Sequence, residues 1–234
     1  MTATPPGGPK VLIVDDEPQI RRFLRASLQS HDYTVLEAEN GKEAVRVCTV
    51  QKPDLLILDL GLPDMDGLDV IKLVREWSTI PIIVLSIRSD DADKIEALDR
   101  GANDYVTKPF SMGELLARMR AALRQGRGDS TEGGAVIAVG DLTIDLTKRL
   151  ITRGGTPVKL SRKEYDLLKI LASHPDRVIT HQQLLQEVWG PAYVEETQYL
   201  RVYIGQLRQK LERDPAAPKW LITEPGVGYR LQTE

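Results

Sequence analysis

The chain has 234 residues, a length that suits one large domain or two small ones at about 100–200 residues each. Hydrophobic residues make up 41% and charged residues 28%, which excludes a chain that is disordered throughout and allows real cores. A formal net charge of −3 argues against a nucleic-acid binder when taken whole, yet it averages a first stretch of 124 residues at −4 with a remainder at +1, and halves of opposite sign suit different partners.

In chain order, residues 1–9 are rich in threonine, proline and glycine (TATPPGGP) and read as a loose tail. From Lys10, short aliphatic runs alternate with amphipathic stretches: KVLIV then PQIRRFLRASLQS, YTVLEA then GKEAVRVCTVQ, DLLILDL then DGLDVIKLVREW, PIIVLS then DKIEALDRG, DYVTK then ELLARMRAALR. Five strands alternating with five helices predict a doubly wound parallel sheet, because buried parallel strands read as continuous apolar runs. Ser111 and Glu114 form a capping box for the last of these helices, and the unit, residues 10–125, is complete by about Gln125.

Residues 126–134 (GRGDSTEGG) have no periodicity and read as a linker. A second domain over 135–234 opens with short antiparallel strands that turn at Gly140-Asp141 and Gly154-Gly155. Two capping boxes follow, Ser161 with Glu164 and Thr180 with Gln183, the latter with an Ile179–Leu184 staple. A third helix is expected over Glu196–Glu212, then a terminal hairpin turning at Gly226 and Gly228. Strands, three helices and a hairpin predict a winged helix-turn-helix of α+β class.

Cys48 is the single cysteine, so an internal disulfide is excluded, and His31, His174 and His181 have no metal-ligand spacing with it. No apolar run approaches the ~20 residues that cross a bilayer, and Met1 to Pro9 lacks the apolar stretch of a signal peptide. A cytoplasmic chain with no membrane insertion is expected.

Ligands of open parallel sheets bind beyond the carboxyl ends of the strands. Those ends carry Asp15-Asp16, Asp59, Ser86 and Lys108-Pro109. Each has an ordinary explanation: Asp15-Asp16-Glu17-Pro18 can simply start a helix, and a lone lysine is commonly solvated. Asp59 resists that explanation, because it closes the buried strand LLIL, where a carboxylate without a partner is costly. The set together suits phosphoryl transfer to a carboxylate. Clustered acids with room for water suit Mg2+, which would bridge Asp59 and the incoming phosphoryl oxygens while Lys108 offsets remaining charge. Asp59 is then the nucleophile and becomes an aspartyl phosphate.

With Asp15-Asp16, ILDLGLPDMDG around Asp59, Ser86 after PIIVL, and Tyr105 with Lys108-Pro109-Phe110, residues 10–124 resemble the flavodoxin-like receiver domain of a two-component response regulator. The resemblance implies that Asp16 and Asp59 are direct Mg2+ ligands, the Gly61 carbonyl a third, and Asp15 a ligand through water. It further implies that Ser86 bonds the phosphoryl group and draws Tyr105 inward, and that the bond before Pro109 is cis. Ser86 replaces the commoner threonine and keeps its hydroxyl.

The second domain resembles the winged-helix output of the OmpR/PhoB subfamily. The fourth and fifth helices are read as carrying Lys94, Asp99, Asp104, Glu114, Arg118 and Arg120, and that resemblance implies a homodimer, formed on phosphorylation, through this face, with Lys94 meeting Glu114 and Asp104 meeting Arg118 across a two-fold. As a plain surface such pairs contribute only ~0–1 kcal/mol. On the third helix, Leu200, Ile204, Leu207 and Leu211 share one stripe and form the core face. The opposite side carries phosphate-pairing Arg with amide and small side chains able to reach base edges.

The subfamily's reading positions fall on Gln198, Arg201, Val202, Gly205, Gln206 and Arg208, with Thr223 of the hairpin as a phosphate or sugar contact and Tyr199, Tyr203 and Lys210 as secondary candidates. Pro225 stands where many relatives carry a basic wing residue, and Gly205-Gln206 replaces a frequent Arg pair, so the DNA site should differ from theirs. Within the subfamily, segments such as VWGPAYVEETQYLRVYIGQLRQKLERDP most resemble regulators of potassium-transport operons.

The expected protein is a regulator, not an enzyme, that accepts a phosphoryl group from a membrane sensor histidine kinase and binds double-stranded promoter DNA. A Mg2+-dependent phosphohydrolase is the chief rival. Such enzymes of the haloacid dehalogenase type place an acid/base Asp two residues after the nucleophile, where this chain has Gly61. A protein-binding output through the loop Gly190–Glu195 is the other.

Overall fold

Five runs form the strands of the first unit: β1 (Lys10–Val14), β2 (Thr34–Ala38), β3 (Leu55–Leu58), β4 (Ile82–Ser86) and β5 (Asp104–Thr107). All pair in parallel, in the order β2-β1-β3-β4-β5. Every residue of β3 and β4 is buried, as strands covered on both faces must be. Alternate side chains feed two layers. Val11, Ile13, Leu55, Ile57, Ile83 and Leu85 pack with Leu24 and Leu28 of α1 (Pro18–Gln29) and with Leu115 and Met119 of α5 (Met112–Gly126). Leu12, Leu56, Leu58 and Val84 face the other layer, to which α2 (Gly41–Gln51), α3 (Gly67–Arg75) and α4 (Asp91–Asp99) contribute buried residues such as Ala44, Val70, Ile71 and Ala97. Cys48 is buried on α2, and burial pushes its thiol up to about 11.

This computed structural model describes residues 8–126 and 136–233. Most of the expected tail (1–9) and linker (126–134) therefore lie outside the described residues. The chain divides into two compact units, Met1–Arg127 and Gly128–Glu234.

The second unit begins with an antiparallel sheet of β6 (Val136–Val139), β7 (Leu142–Asp145), β8 (Leu150–Arg153) and β9 (Thr156–Pro157). Gly140, Gly154 and Gly155 turn with positive φ where the sequence placed turns. The middle turn instead bends at Arg149, φ 53°, a residue that gives no turn signal. Next come α6 (Arg162–Ser173), β10 (Ile179–Thr180), α7 (His181–Trp189), a single 3-10 turn at Pro191–Tyr193, and α8 (Thr197–Leu211). The strands β11 (Leu221–Glu224) and β12 (Gly228–Leu231) close the chain, ordered β10-β12-β11.

Of the three expected capping boxes, Ser161 with Glu164 and Thr180 with Gln183 form in full, and at α5 the Ser111 hydroxyl accepts from the Glu114 N–H at 3.1 Å. Helices α6 and α7 enter one core in which Leu168, Leu171, Leu184, Leu200, Ile204 and Leu207 meet Leu221 and Leu231.

Two placements differ from the sequence reading. Asp104 belongs to neither the fourth nor the fifth helix: α4 stops at Asp99, Gly101 turns the chain at φ 108°, and Asp104 opens β5. Gly228 lies on β12 and not in the hairpin turn, which Gly226 makes at φ 75°. A Cβ on Gly228 would stand 2.0 Å from the Ile179 carbonyl oxygen, so its glycine serves the close approach of β12 to β10.

Candidate phosphoacceptor site and DNA interface

The strand order reverses between β1 and β3, and the residues that follow those two strands, Asp15 and Asp59, stand side by side at this crevice. Asp15 is 1% and Asp59 7% exposed, while Asp16 faces solvent. Carboxylate oxygens of all three lie within 4.8 Å of one another. Lys108, carried past the end of β5, donates to Asp15 Oδ2 and to Asp59 Oδ2, each at 2.7 Å. Burial raises the pKa of Asp15 in spite of its bond from Lys108. For Lys108, burial works against the charge, but the two carboxylates win and hold the ammonium above its ordinary value. The Lys108–Pro109 peptide bond is cis.

The donor set fits a hard divalent cation: three carboxylates converge, one on the open side where water can complete the shell. Gly61 borders it, its N–H donating to Asp59 Oδ1 at 3.2 Å. Ser86 is buried at the end of β4, and its hydroxyl accepts from the Arg88 N–H at 3.3 Å. Tyr105 lies inward, 9% exposed, and its hydroxyl donates to the Arg88 carbonyl at 2.7 Å. Burial raises the Tyr105 phenol, and the nearby Ser86 hydroxyl opposes that rise.

Several supporting residues escaped the sequence reading. Buried Arg21 of α1 donates to the Asp15 carbonyl at 2.6 Å and to Glu39 at 2.5 Å, which fixes the backbone of the first acid. Arg88 ties Ser86 and Tyr105 through its backbone and pairs with the α3 cap Asp66 at 2.9 Å through its side chain. Gly67 lets α3 begin against the loop that follows β3, since a Cβ there would sit 2.5 Å from the Asp59 carbonyl oxygen. Beside Lys108 a groove lined by Ile20, Phe23, Ile87 and Phe110 exposes Phe23 and Ile87.

On α8 the stripe Leu200, Ile204, Leu207 and Leu211 is buried. Gln198, Arg201, Val202 and Gln206 are exposed on the other side, and a Cβ added to Gly205 would meet nothing within 4 Å. Arg208 is committed within the chain. Its guanidinium donates to the Leu221 carbonyl at 3.0 and 2.6 Å and to the Thr223 hydroxyl at 2.7 Å, pinning β11 to α8. Lys210 is likewise engaged, 2.7 Å from the buried Glu164. At the wing, Arg230 pairs with Glu224, so the hairpin around Pro225 offers no free cation among the described residues.

The response regulator receiver domain family matches residues 11–120, and the family of C-terminal domains of transcriptional regulatory proteins matches residues 155–231. The KDP operon transcriptional regulatory protein KdpE of Escherichia coli is 51% identical over 94% of this chain and 98% of its own length. KdpE of Mycobacterium tuberculosis is 50% identical over 95% and 98%. The chain is an OmpR/PhoB-type response regulator. A solved structure of a RitR mutant agrees with this regulator at 31% identity, over 97% of this chain and 100% of its own, with a TM-score of 0.50.

In this regulator the charges of the expected dimer face bond within one chain. Arg118 pairs with its own Asp104 at 2.7 Å and Glu114 at 2.9 Å, and Lys94 lies 3.4 Å from Asp91. Two carboxylates outweigh burial and drive the Arg118 pKa upward. Pairing across a two-fold therefore means exchanging these bonds. Arg120 and Asp99 are exposed on the same helices. An aromatic cluster also appears that no sequence motif announced: Trp189 stacks on Tyr199 with centroids 6.1 Å apart and meets Tyr203 at 5.3 Å, with Tyr193 edge-on to Tyr199. Tyr199 and Tyr203 thus pack the start of α8, and Tyr199 is 43% exposed.

Proposed function

We propose that this regulator takes a phosphoryl group onto Asp59 from a membrane sensor histidine kinase, dimerises, and binds promoter DNA with α8. The convergence of Asp59, Asp15, Asp16 and Lys108 carries the reading. An Asp59 carboxylate oxygen attacks the phosphorus of the kinase phosphohistidine; an O–P bond forms as the N–P bond breaks. Asp15, Asp16 and Asp59, with the Gly61 carbonyl, would hold Mg2+, which supplies positive charge opposite the phosphoryl oxygens. Lys108 is positioned to neutralise a further oxygen, and the Ser86 hydroxyl to bond another. The exposed Phe23 and Ile87 beside Lys108 offer the kinase an apolar landing surface.

Dimerisation through Lys94, Asp99, Asp104, Glu114, Arg118 and Arg120 then sets two output domains on adjacent half-sites. The second contact becomes effectively intramolecular and adds ~10²–10⁴ in avidity. Gln198, Arg201, Val202, Gly205 and Gln206 face the groove. Arg208 and Thr223 hold the wing to the reading helix, so Arg208 acts by positioning as much as by contact. The likeness to KdpE over nearly the whole chain supports a cytoplasmic regulator of potassium-transport genes with a KdpD-like kinase as donor. No helix among the described residues is long and apolar enough to cross a membrane.

The decisive experiment is gel filtration with light scattering. Beryllofluoride with Mg2+ should shift the protein from monomer to dimer, and Asp59→Asn should abolish the shift. A wild-type elution volume that does not move overturns the phosphorylation switch.

A further inference from the structure

At the start of α7 His181 packs against Tyr229 of β12, and the charge of Arg201 on the outer side of α8 reaches both rings. The His181 ring packs edge-on to Tyr229, centroids 5.4 Å apart and planes at 65°. Neither the His181 ring, the Tyr229 hydroxyl nor the Arg201 guanidinium has a hydrogen bond or ion pair among the described residues. Arg201 acts on both rings. Burial and the Arg201 charge push the His181 imidazole below its ordinary value. Burial raises the Tyr229 phenol against the pull of Arg208 and Arg201.

The other cations of α8 and β12 are engaged. Arg208 is bound to the Leu221 carbonyl and to Thr223, and Arg230 of β12 is paired with Glu224. Arg201 is the charged group that bears on His181, and no carboxylate does so. The α7 backbone is satisfied at this point, the His181 N–H donating to the Val227 carbonyl at 3.0 Å. Thr223, the expected phosphate contact, stands directly opposite Tyr229 in the β11–β12 register, so the cluster continues the DNA face. A half-buried cluster with two fixed donors, a titratable ring and no anion of its own is a seat for an anion.

We propose that His181, Tyr229 and Arg201 seat one backbone phosphate of duplex DNA, and that His181 takes up a proton from solvent as the phosphate arrives. This rests on the reading of α8 as the DNA-binding helix. In free protein, burial and Arg201 keep His181 neutral near neutral pH; a phosphate against the ring favours the cation. Affinity then rises as pH falls from the bound pKa toward the free pKa, by up to about tenfold per pH unit, and levels off below the free value.

The test uses the beryllofluoride-activated full chain and a duplex that it enriches from a random pool, with anisotropy titrations from about pH 8 to about pH 6. Wild type should bind several-fold tighter at the acid end. His181→Gln should flatten the pH profile while keeping binding, and His181→Arg should bind tightly and flatly across the range. The other histidines, His31 and His174, are retained in all three proteins and so do not distinguish them. Failure to enrich any duplex overturns the DNA reading and the seat with it. An enriched duplex whose pH profile is unchanged in His181→Gln overturns the seat alone.

Discussion

Glu164 is a buried carboxylate serving two helices at once. It is 2% exposed, accepts from the Ser161 N–H at 2.5 Å to close the α6 cap, and accepts from Lys210 of α8 at 2.7 Å. Burial opposes the charge, but the Lys210 and Ser161 bonds prevail and hold the carboxyl below its ordinary 4.5. A depressed folded-state pKa means that the stabilisation is complete above the unfolded value and is lost as pH falls through the folded one. Urea titrations of wild type should therefore show the second unit weakening below about pH 4.5. Glu164→Gln should be less stable at neutral pH, by about 1–3 kcal/mol for losing a charge-assisted pair, and should show less of that acid loss. Equal midpoints at neutral pH would remove Glu164 from this role. At this scale the clustering of Asp15 and Asp59 was legible, because each follows an apolar run that fixes it at a strand end. Arg21 and Arg88 were not, because their partners Glu39, Asp66 and Tyr105 are brought near only by the fold.

Among elements, α8 and the terminal hairpin are joined by the Arg208 fork and by the C-cap Glu212, which accepts from the Leu221 N–H at 2.7 Å. Arg208 spans the Leu221 carbonyl and the Thr223 hydroxyl with a rigid planar fork, and a lysine ammonium on its flexible stem does not reproduce that fixed geometry. Arg208→Lys should free the start of β11, speeding amide exchange of the Leu221–Glu224 strand while leaving α6 unaffected. The expected loss is about 1–2 kcal/mol, typical of hydrogen bonds to a charged group. Unchanged exchange in β11 would show that the fork is incidental. Periodicity identified the buried stripe of α8 and the capping boxes of α6 and α7, which are local signals. It misjudged Gly228 and Asp104, whose places depend on the Ile179 backbone and on where α4 stops. The aromatic cluster of Trp189, Tyr199 and Tyr203 joins two helices across an intervening turn, and no single-element pattern encodes it.

For the whole molecule, each unit closes its own core, one around β1, β3, β4 with α1 and α5, the other around α6, α7 and α8. Trp77 reports on the first unit, and Trp189 and Trp220 on the second. Tryptophan fluorescence in urea should resolve two transitions, and Trp77→Phe should leave the one carried by the second unit. A single transition that Trp77→Phe leaves unchanged in position and slope would mean that the units unfold as one. The net charge of −3 hides this division. The acidic half owes its excess partly to the cluster of Asp15, Asp16 and Asp59, whereas the nearly neutral half exposes Arg201 without a partner among the described residues.

Gly205 places that face under two opposed demands. Glycine inside a helix costs roughly 0.5–1 kcal/mol relative to alanine, and the empty space around its Cα would admit alanine without a clash. Stability alone would therefore favour replacement. Under the proposed reading of α8, the bare backbone at position 205 would let the helix approach the bases closely, at that cost in folding free energy, which makes position 205 the natural point for retuning operator preference.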